Sequence, residues 1–244
     1  YQTFGGHLKF YGIGGAKLNK SVERFLIEAR FPYAIGYGLT ETSPLLAGAS
    51  PANSVFDSTG PAIEDIELKI NDPDKNTGEG EIWARGPNIM KGYYKEPLLT
   101  SEVITPDGWF KTGDLGVMDS RNNLYIKGRL KNMIVGASGE NIYPEEIESI
   151  INNFRFVVES LVIQQKGKLV AYVHLNMEEL EKKYQSLKED MSRQYSDKKE
   201  ELLAELKEYV NSKVSKFSQI NKVVFQQVPF QKTATLKIKR FLYT

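Results

Sequence analysis

The spacing of apolar residues in the first forty positions predicts a strand, a helix and a second strand. Residues 8–14 are a short apolar run that ends in glycine, and Ala34–Tyr37 are another. Between them, apolar residues recur at the three- and four-residue intervals of an amphipathic helix: Val22, Phe25, Leu26 and Ala29. Asn19 is a suitable N-cap for this helix, and Phe31-Pro32 should end it. This opening is typical of an α/β domain.

From residue 60 onwards the pattern changes to short apolar segments separated by turns. Turn-forming clusters occur at residues 71–74 and at Asp107-Gly108. The intervening segments predict strands at Ile66–Ile70, Glu81–Ala84 and Leu124–Ile126. Residues 60–129 are therefore expected to form a small, mostly β region.

A separate α+β pattern follows residue 131. Pro144 suits the first position of a helix, and the two glutamates after it favour the positive end of the helix dipole. The predicted inner face of this helix is Ile147, Ile150 and Ile151. Three strands should follow, the first two as a hairpin turning at Lys166-Gly167: Val157–Gln164, Lys168–Leu175 and Val223–Val228.

Residues 177–217 are highly charged, and their apolar positions have helical spacing. Those positions are Leu180, Tyr184, Leu187 and Met191, then Leu202, Leu206, Tyr209 and Val210. Asp197 with Glu200 three residues later resembles a capping box, which predicts two helices rather than one. A solvated face explains the charge of this segment better than a binding role does.

The composition sets limits on function. Hydrophobic residues make up 41% of the 244 positions and charged residues 26%, as in ordinary soluble globular proteins. A net charge of +1 gives no general argument for nucleic acid as a partner. The sequence has no cysteine, which excludes disulfides, thiolate metal sites and a cysteine nucleophile. No apolar run approaches the length of a membrane span.

The hexapeptide YGLTET at positions 37–42 carries groups that suit a nucleotide. Tyr37 offers an aromatic face for a purine, and Gly38 lets the backbone pass close to a ligand. Thr40 offers a hydroxyl for phosphate, and Glu41 offers a carboxylate oxygen for Mg²⁺, a hard cation that prefers oxygen ligands. The alternative is a plain strand and turn with an incidental acid.

A second candidate lies in the segment WFKTGD, which ends at Asp114. An aspartate after glycine at the end of a strand can accept hydrogen bonds from both hydroxyls of a ribose, as an acidic residue does in dinucleotide-binding folds. Arg129 has five donors that suit oxygen-rich groups, so it is a second candidate contact for ribose or phosphate. An Asp in an ordinary turn is the alternative.

These motifs, in this order, resemble those of the adenylate-forming superfamily of acyl-CoA synthetases, luciferases and peptide-synthetase adenylation domains. The other matching segments are GGAKL at 14–18, GRLK at 128–131, GASGENIYPEEIE at 136–148 and PFQKTATLKIKR at 229–240. The overall resemblance is to long-chain fatty acid–CoA ligases. It implies an α/β region with a β-barrel-like subdomain (1–59 and 60–129), the C-terminal part of a large AMP-binding domain. A mobile C-terminal α+β lid domain (130–244) would follow.

The resemblance also implies roles for individual residues. Small side chains at Gly14, Gly15 and Ala16 would line the adenine and the acyl carboxylate, and Lys131 would be the hinge between the domains. Ser138 and Gly139 would form part of the wall of the pantetheine tunnel, where the family usually has two glycines. Lys237 would be the catalytic lysine of adenylation, although Leu236 replaces the family's glycine beside it. A plain basic C-terminal strand is the alternative for this segment.

The implied reaction uses ATP, Mg²⁺ and coenzyme A to convert a fatty acid to acyl-AMP and then to acyl-CoA. The family's Ser/Thr/Gly-rich phosphate loop ending in Pro-Lys-Gly does not occur in these 244 residues and would precede them in family order. The chain is therefore expected to be a C-terminal fragment that is inactive alone. Two alternatives stay open: transfer of the acyl group to a carrier protein, and a non-catalytic nucleotide-binding module. The expected location is cytoplasmic, with peripheral membrane contact of the full-length protein left open.

Overall fold

A computed structural model of the chain describes residues 2–15, 17–184, 193–234 and 236–243. The chain divides into two compact units, one ending at Lys131 and the other beginning at Asn132. The α/β, β-rich and α+β regions follow one another in the predicted order. None of the helices within the described ranges is both long enough and apolar enough to cross a bilayer.

The first unit opens with the predicted strand–helix–strand arrangement: β1 (Tyr11–Ile13), α1 (Lys20–Glu28) and β2 (Tyr33–Gly38). β1 and β2 are parallel. A third strand, β3 (Leu45–Gly48), pairs antiparallel with β2 and was not predicted. Its four residues show no alternation of apolar and polar side chains, so no strand pattern marks it in the sequence.

Helix α1 forms as predicted, but it buries a different face. The side chain of Asn19 caps the helix by accepting from the Ser21 backbone N–H at 2.8 Å. Val22 and Phe25, expected to face inward, are 45% and 65% exposed, whereas Glu23 is 1% exposed. A carboxylate can replace an apolar contact here because its oxygens accept hydrogen bonds from the hydroxyl of Tyr33 and the backbone N–H of Asp57.

The β-rich region contains four antiparallel strands in sequential order: β4 (Glu67–Asn71), β5 (Gly80–Arg85), β6 (Phe110–Met118) and β7 (Leu124–Arg129). The predicted β-rich region is confirmed, and within the described part of the chain these strands form one sheet in the order β4-β5-β6-β7. The expected β-barrel-like form stays a prediction. A short helix, α2 (Pro97–Val103), begins at a proline and was not predicted. The core of this unit includes Leu46, Ala47, Ile82, Ala84 and Leu124.

The second unit begins with a small hairpin, β8 (Ile134–Val135) and β9 (Asn141–Ile142), and then α3 (Pro144–Ile151). Its main sheet consists of β10 (Val157–Gln165), β11 (Lys168–Leu175) and β12 (Lys222–Phe225). The predicted hairpin of β10 and β11 turns at Lys166 and Gly167, both of which have positive φ, as a tight two-residue turn requires. β12 lies parallel to β11 and ends three residues earlier than predicted.

The charged segment contains helix on both sides of residues 185–192: α4 (Met177–Tyr184) and α5 (Arg193–Asn211). The buried apolar residues of these helices are Leu180, Leu202, Leu206 and Val210. The predicted helix start at Asp197 is wrong, because α5 is already helical at Arg193. Leu187 and Met191, predicted on the apolar stripe, lie outside the described residues.

Candidate functional site

A buried polar group of the first unit is centred on Asp114. This residue lies within β6, not at the end of a strand as predicted. The pairing of β6 shifts register against both neighbouring strands near this point, and Gly113 has φ 69°. Such irregularities redirect side chains and are common beside functional sites. They explain how an aspartate in mid-strand reaches partners on another sheet.

Both carboxylate oxygens of Asp114 are held by neighbours. The hydroxyl of Tyr37, on β2, donates to one oxygen at 2.8 Å, and the Nε of Arg129 lies 2.8 Å from the other. Arg129 is opposite Asp114 on β7, and its Nη1 also donates to the carbonyl of Thr112 at 3.2 Å. Three residues predicted separately, from distant points in the sequence, are therefore in direct contact.

These contacts orient the carboxylate of Asp114. Burial, together with the negative charge of Asp114, raises the pKa of Tyr37 well above its ordinary value, so its hydroxyl remains a donor. An aspartate carboxylate can accept hydrogen bonds from the two hydroxyls of a ribose, as the corresponding acid does in dinucleotide-binding folds. Tyr37 itself is 9% exposed. Its expected stacking on a purine stays a prediction.

The turn after β2 places Thr40 and Glu41 in a short 3-10 helix, Thr40–Thr42. Thr40 is exposed, and one oxygen of Glu41 accepts a hydrogen bond from the hydroxyl of Tyr93 at 3.0 Å. Gly38 lies against the carbonyl of Pro44, where a Cβ would come within 1.6 Å of the oxygen. This contact within the chain is sufficient to require glycine, independently of any ligand.

Glu41 fits the expected magnesium ion in its donor chemistry. No group of three or more His, Cys, Asp or Glu that could hold a metal occurs among the residues the structure describes. Mg²⁺ is commonly bound by only one or two carboxylates together with substrate phosphates and water. A single carboxylate next to an exposed hydroxyl is therefore compatible with a magnesium ion that arrives with a nucleotide.

The predicted glycine turn follows β1. Gly14 and Gly15 are both exposed, and Gly15 has φ 83°, a conformation that favours glycine. Ala16, the third residue of this motif, lies outside the described residues. The turn leads from β1 into α1, as the sequence indicated.

The candidate hinge and the glycine loop are both exposed. Lys131 is the last residue of the first unit and lies in a single 3-10 turn, Leu130–Asn132. Ser138 and Gly139 occupy the tip of the hairpin between β8 and β9, and Gly139 has φ 89°. The tip is closed by two backbone hydrogen bonds between residues 136 and 140 and between 139 and 136.

Lys237 is exposed on a hairpin whose two sides are residues 231–233 and 237–239, called here the lysine hairpin. The backbone N–H of Thr233 donates to the carbonyl of Lys237 at 2.8 Å, and that of Lys239 donates to the carbonyl of Gln231 at 2.9 Å. Leu236, in the turn, has φ 62°. A non-glycine residue pays about 1 kcal/mol or more for this conformation, which explains a preference for glycine here.

Sequence reasoning missed an acid–base cluster next to this hairpin. Glu148 on α3 is buried, forms a close ion pair with Arg240 and accepts from the backbone N–H of Val162 at 2.7 Å. Burial raises the pKa of Glu148 to about 7, and the charge of Arg240 opposes the rise. The PEEIE segment does contain a signal, since Glu148 follows Ile147 on a face that the helical period directs toward the core.

The raised pKa predicts that protonation of Glu148 stabilises the second unit. Between pH 4.5 and about 7 the folded state binds this proton more tightly than the unfolded state, so stability is highest at the acidic end and is lost as the pH rises through 7. The free energy of unfolding should fall by about 1–3 kcal/mol between pH 5 and pH 8. Chemical denaturation across this range measures the fall, and Glu148→Gln should largely remove it. An unchanged slope in that variant would contradict the assignment to Glu148.

The first unit holds a buried aspartate bound by Tyr37 and Arg129 together with a YGLTE turn, and the second holds the lysine hairpin; these are features expected of adenylate-forming enzymes. Comparison of the sequence with models of known protein families gives one match. A model of the AMP-binding enzyme family matches residues 1–94. The resemblance to adenylate-forming enzymes that the sequence indicated is therefore confirmed over residues 1–94.

Several relatives and solved structures are similar to this chain. The chain is 35% identical over 185 residues to a chloroplastic long-chain-fatty-acid–[acyl-carrier-protein] ligase of Arabidopsis thaliana, covering 69% of the chain and 25% of that protein. It is 33% identical over 169 residues to long-chain-fatty-acid–CoA ligase 1 of Saccharomyces cerevisiae, covering 67% and 24%.

A Bacillus subtilis o-succinylbenzoate coenzyme A synthetase, solved with ATP and a magnesium ion, has 28% identity and a TM-score of 0.76. It matches 95% of this chain and 45% of its own. The chain therefore spans about a quarter of the length of these curated relatives and under half of the solved one. The architecture of the chain is that of a fragment of the adenylating-enzyme fold.

Proposed function

We propose that this chain is the C-terminal portion of an ATP-dependent long-chain fatty acid–CoA ligase. The whole protein forms acyl-AMP and pyrophosphate from a fatty acid and ATP, and then transfers the acyl group to coenzyme A. The observation that carries the proposal is the Asp114 group, because a carboxylate oriented by Tyr37 and Arg129 suits the hydroxyls of a nucleotide ribose. The yeast relative named as a CoA ligase supports the acceptor.

In this proposal the first unit binds the nucleotide and the acid. Asp114 and Arg129 hold the ribose, and the small residues Gly14, Gly15 and Ala16 border the adenine and the acyl carboxylate. Tyr37 contributes to the purine site through its ring and to the ribose site through its hydroxyl on Asp114. Gly38 completes the strand end that carries these groups.

In this proposal three side chains interact with the reacting phosphate or with its metal ion. The hydroxyl of Thr40 contacts phosphate, and Glu41 holds Mg²⁺, whose role when bound is to neutralise phosphate charge. The ammonium of Lys237 stabilises the negative charge that develops on the α-phosphate and the carboxylate as they react. The loop tip with Ser138 and Gly139 borders the path of the pantetheine thiol in the second step.

A carrier protein as acceptor is the second candidate, because one relative is named as an acyl-carrier-protein ligase. A pyrophosphate-release screen of the whole protein against fatty acids of increasing length tests the adenylation step. Separate assays with coenzyme A and with a phosphopantetheine-bearing carrier protein then decide the acceptor. No acid-dependent pyrophosphate release with any acid would contradict the proposed ligase, which we place in the cytoplasm or peripherally on a membrane.

Rotation of the second unit about Lys131 between the two half-reactions is part of the proposal. Hinges absorb large backbone rotations at a few positions, and Lys131 is exposed in the turn that ends the first unit. Lys131→Pro fixes φ and removes a donor. It should strongly reduce either acyl-AMP formation or thioester formation while sparing the other. Single-turnover assays of each step make the measurement, and a variant with both steps intact would exclude this hinge.

A further inference from the structure

We infer that Arg240 and Lys232 are positioning residues for Lys237: their ion pairs with Glu148 and Glu159 clamp the lysine hairpin to the second unit on both sides of the lysine. The inference extends the proposed function, since it rests on the role given there to Lys237. Neither Arg240 nor Lys232 was predicted to act in this way.

The clamp after Lys237 joins three parts of the second unit. Arg240 forms a close ion pair with Glu148 on α3, and its Nη1 donates to the carbonyl of Val162 on β10 at 3.3 Å. Glu148 in turn accepts from the backbone N–H of Val162 at 2.7 Å. Glu145, one turn earlier on α3, lies 3.8 Å from the same guanidinium. Arg240 is therefore held by side chain and backbone groups of two different elements.

The clamp before Lys237 depends on a second buried carboxylate. Glu159 on β10 is 7% exposed, and one of its oxygens accepts from the backbone N–H of Phe230 at 2.9 Å. Its other oxygen forms a close ion pair with Lys232. Lys232 is in turn bridged to Ile238, directly after Lys237, as an antiparallel pair. The two acids thus hold both strands of the lysine hairpin.

Apolar packing alone attaches the lysine hairpin to the second unit through a small contact. Ile238 packs against a cluster of three buried residues, Leu161, Ile163 and Phe230. Successive side chains of an extended strand face opposite ways, so this contact leaves Lys237 on the solvent side. An isolated two-stranded hairpin is marginally stable in water. The ion pairs therefore decide whether the hairpin keeps one position.

The catalytic role proposed for Lys237 depends on where its ammonium is placed, unlike the role of an ordinary surface lysine. A displacement of about 1 Å in a catalytic group can lower the rate by roughly 100-fold. Lys237 has no ion pair with any described residue that could fix its ammonium, so its placement depends on the backbone that carries it. A variant that frees the hairpin should therefore resemble the loss of the lysine itself.

The first experiment measures amide hydrogen exchange in the 244-residue chain. Arg240→Met removes the guanidinium and keeps most of the apolar stem, and Lys232→Met does the same at the other clamp. Each should lower the protection of the Lys237 and Lys239 amides by about 10- to 100-fold, the usual range for a lost bond to a charged group. The amides that pair β10 with β11 should not change. Lys239→Met is the matched control, because Lys239 forms no ion pair within the described part of the chain.

The second experiment measures the half-reactions of the whole protein. Arg240→Met should lower kcat for acyl-AMP formation about 100-fold with little change in KM for ATP. Thioester formation from supplied acyl-AMP should stay near wild type, and Arg240→Lys should recover part of the adenylation rate. Lys239→Met should leave both steps unchanged.

Three results would overturn the inference: unchanged protection of the hairpin in both methionine variants, an equal loss of protection throughout β10 and β11, or an equal loss of both half-reactions. Absence of pyrophosphate release by the wild-type protein would contradict the proposed function instead. The exchange measurement on the 244-residue chain would still decide whether the clamp exists, so the two failures are distinguishable.

Discussion

Replacing Lys237 with alanine should lower acyl-AMP formation by about 100- to 1,000-fold, the range found when one preorganised donor is removed from a site of developing charge. Lys237 is exposed on the lysine hairpin, and in the proposed reaction its ammonium stabilises negative charge on the α-phosphate and the carboxylate. When acyl-AMP is supplied, the bond between the carboxylate and the α-phosphate has already formed, so this step does not need the Lys237 ammonium in the same way. That second step should remain near normal.

Single-turnover assays of the two half-reactions in the whole protein make this measurement. Lys239→Ala serves as the control, since it removes the same charge two residues away on the same hairpin. An equal loss of both steps after Lys237→Ala would exclude a role specific to adenylation. A loss of the same size in Lys239→Ala would indicate that only the overall charge of the hairpin matters.

Replacing Asp114 with alanine should abolish the nucleotide binding of the 244-residue chain. The wild-type chain should bind AMP weakly and distinguish it poorly from ATP·Mg, because the sequence contains no Ser/Thr/Gly-rich loop ending in Pro-Lys-Gly to cradle the β- and γ-phosphates. The affinity that remains depends on the nucleoside. Hydrogen bonds to a charged group contribute about 1.5–3 kcal/mol each, so losing two to the ribose would weaken binding by roughly 100-fold or more.

Calorimetric titration with AMP and with ATP·Mg tests this directly. Tyr37→Phe is the matched variant, because it removes only the hydroxyl that donates to Asp114 and should cause a smaller loss. Circular dichroism establishes that each variant is folded. Tight and ATP-selective binding by the wild-type chain, or acid-dependent pyrophosphate release, would show that these residues already form a complete site.

Local pattern was enough to predict many of the elements. Helical spacing and an asparagine N-cap located α1, and the Lys166-Gly167 turn located the β10–β11 hairpin. These features depend on residues close together in sequence, where period and turn chemistry act. The motifs that suggested a nucleotide site also named Tyr37, Asp114 and Arg129, although nothing local indicated that the three touch.

Two features that the sequence did not predict depend on contacts between distant residues. Helical period assigned Val22 and Phe25 to the buried face of α1, but two donors, the Tyr33 hydroxyl and the Asp57 backbone N–H, bury Glu23 instead. The clamp of Arg240 on Glu148 spans 92 positions, so no sequence window contains it. Burial of a carboxylate depends on such remote partners, and single-sequence patterns carry little information about them.

The division at Lys131 predicts that the two units of this chain unfold at different temperatures. Each unit contains its own apolar core, one around Leu46 and Ile82 and the other around Ile147 and Leu206. Two calorimetric transitions are therefore expected, and the equality of calorimetric and van't Hoff enthalpies that defines two-state unfolding should fail. Bound AMP should move only the transition of the first unit, by mass action. Acidification from pH 8 to pH 5 should raise the other, so the two conditions identify which transition belongs to which unit.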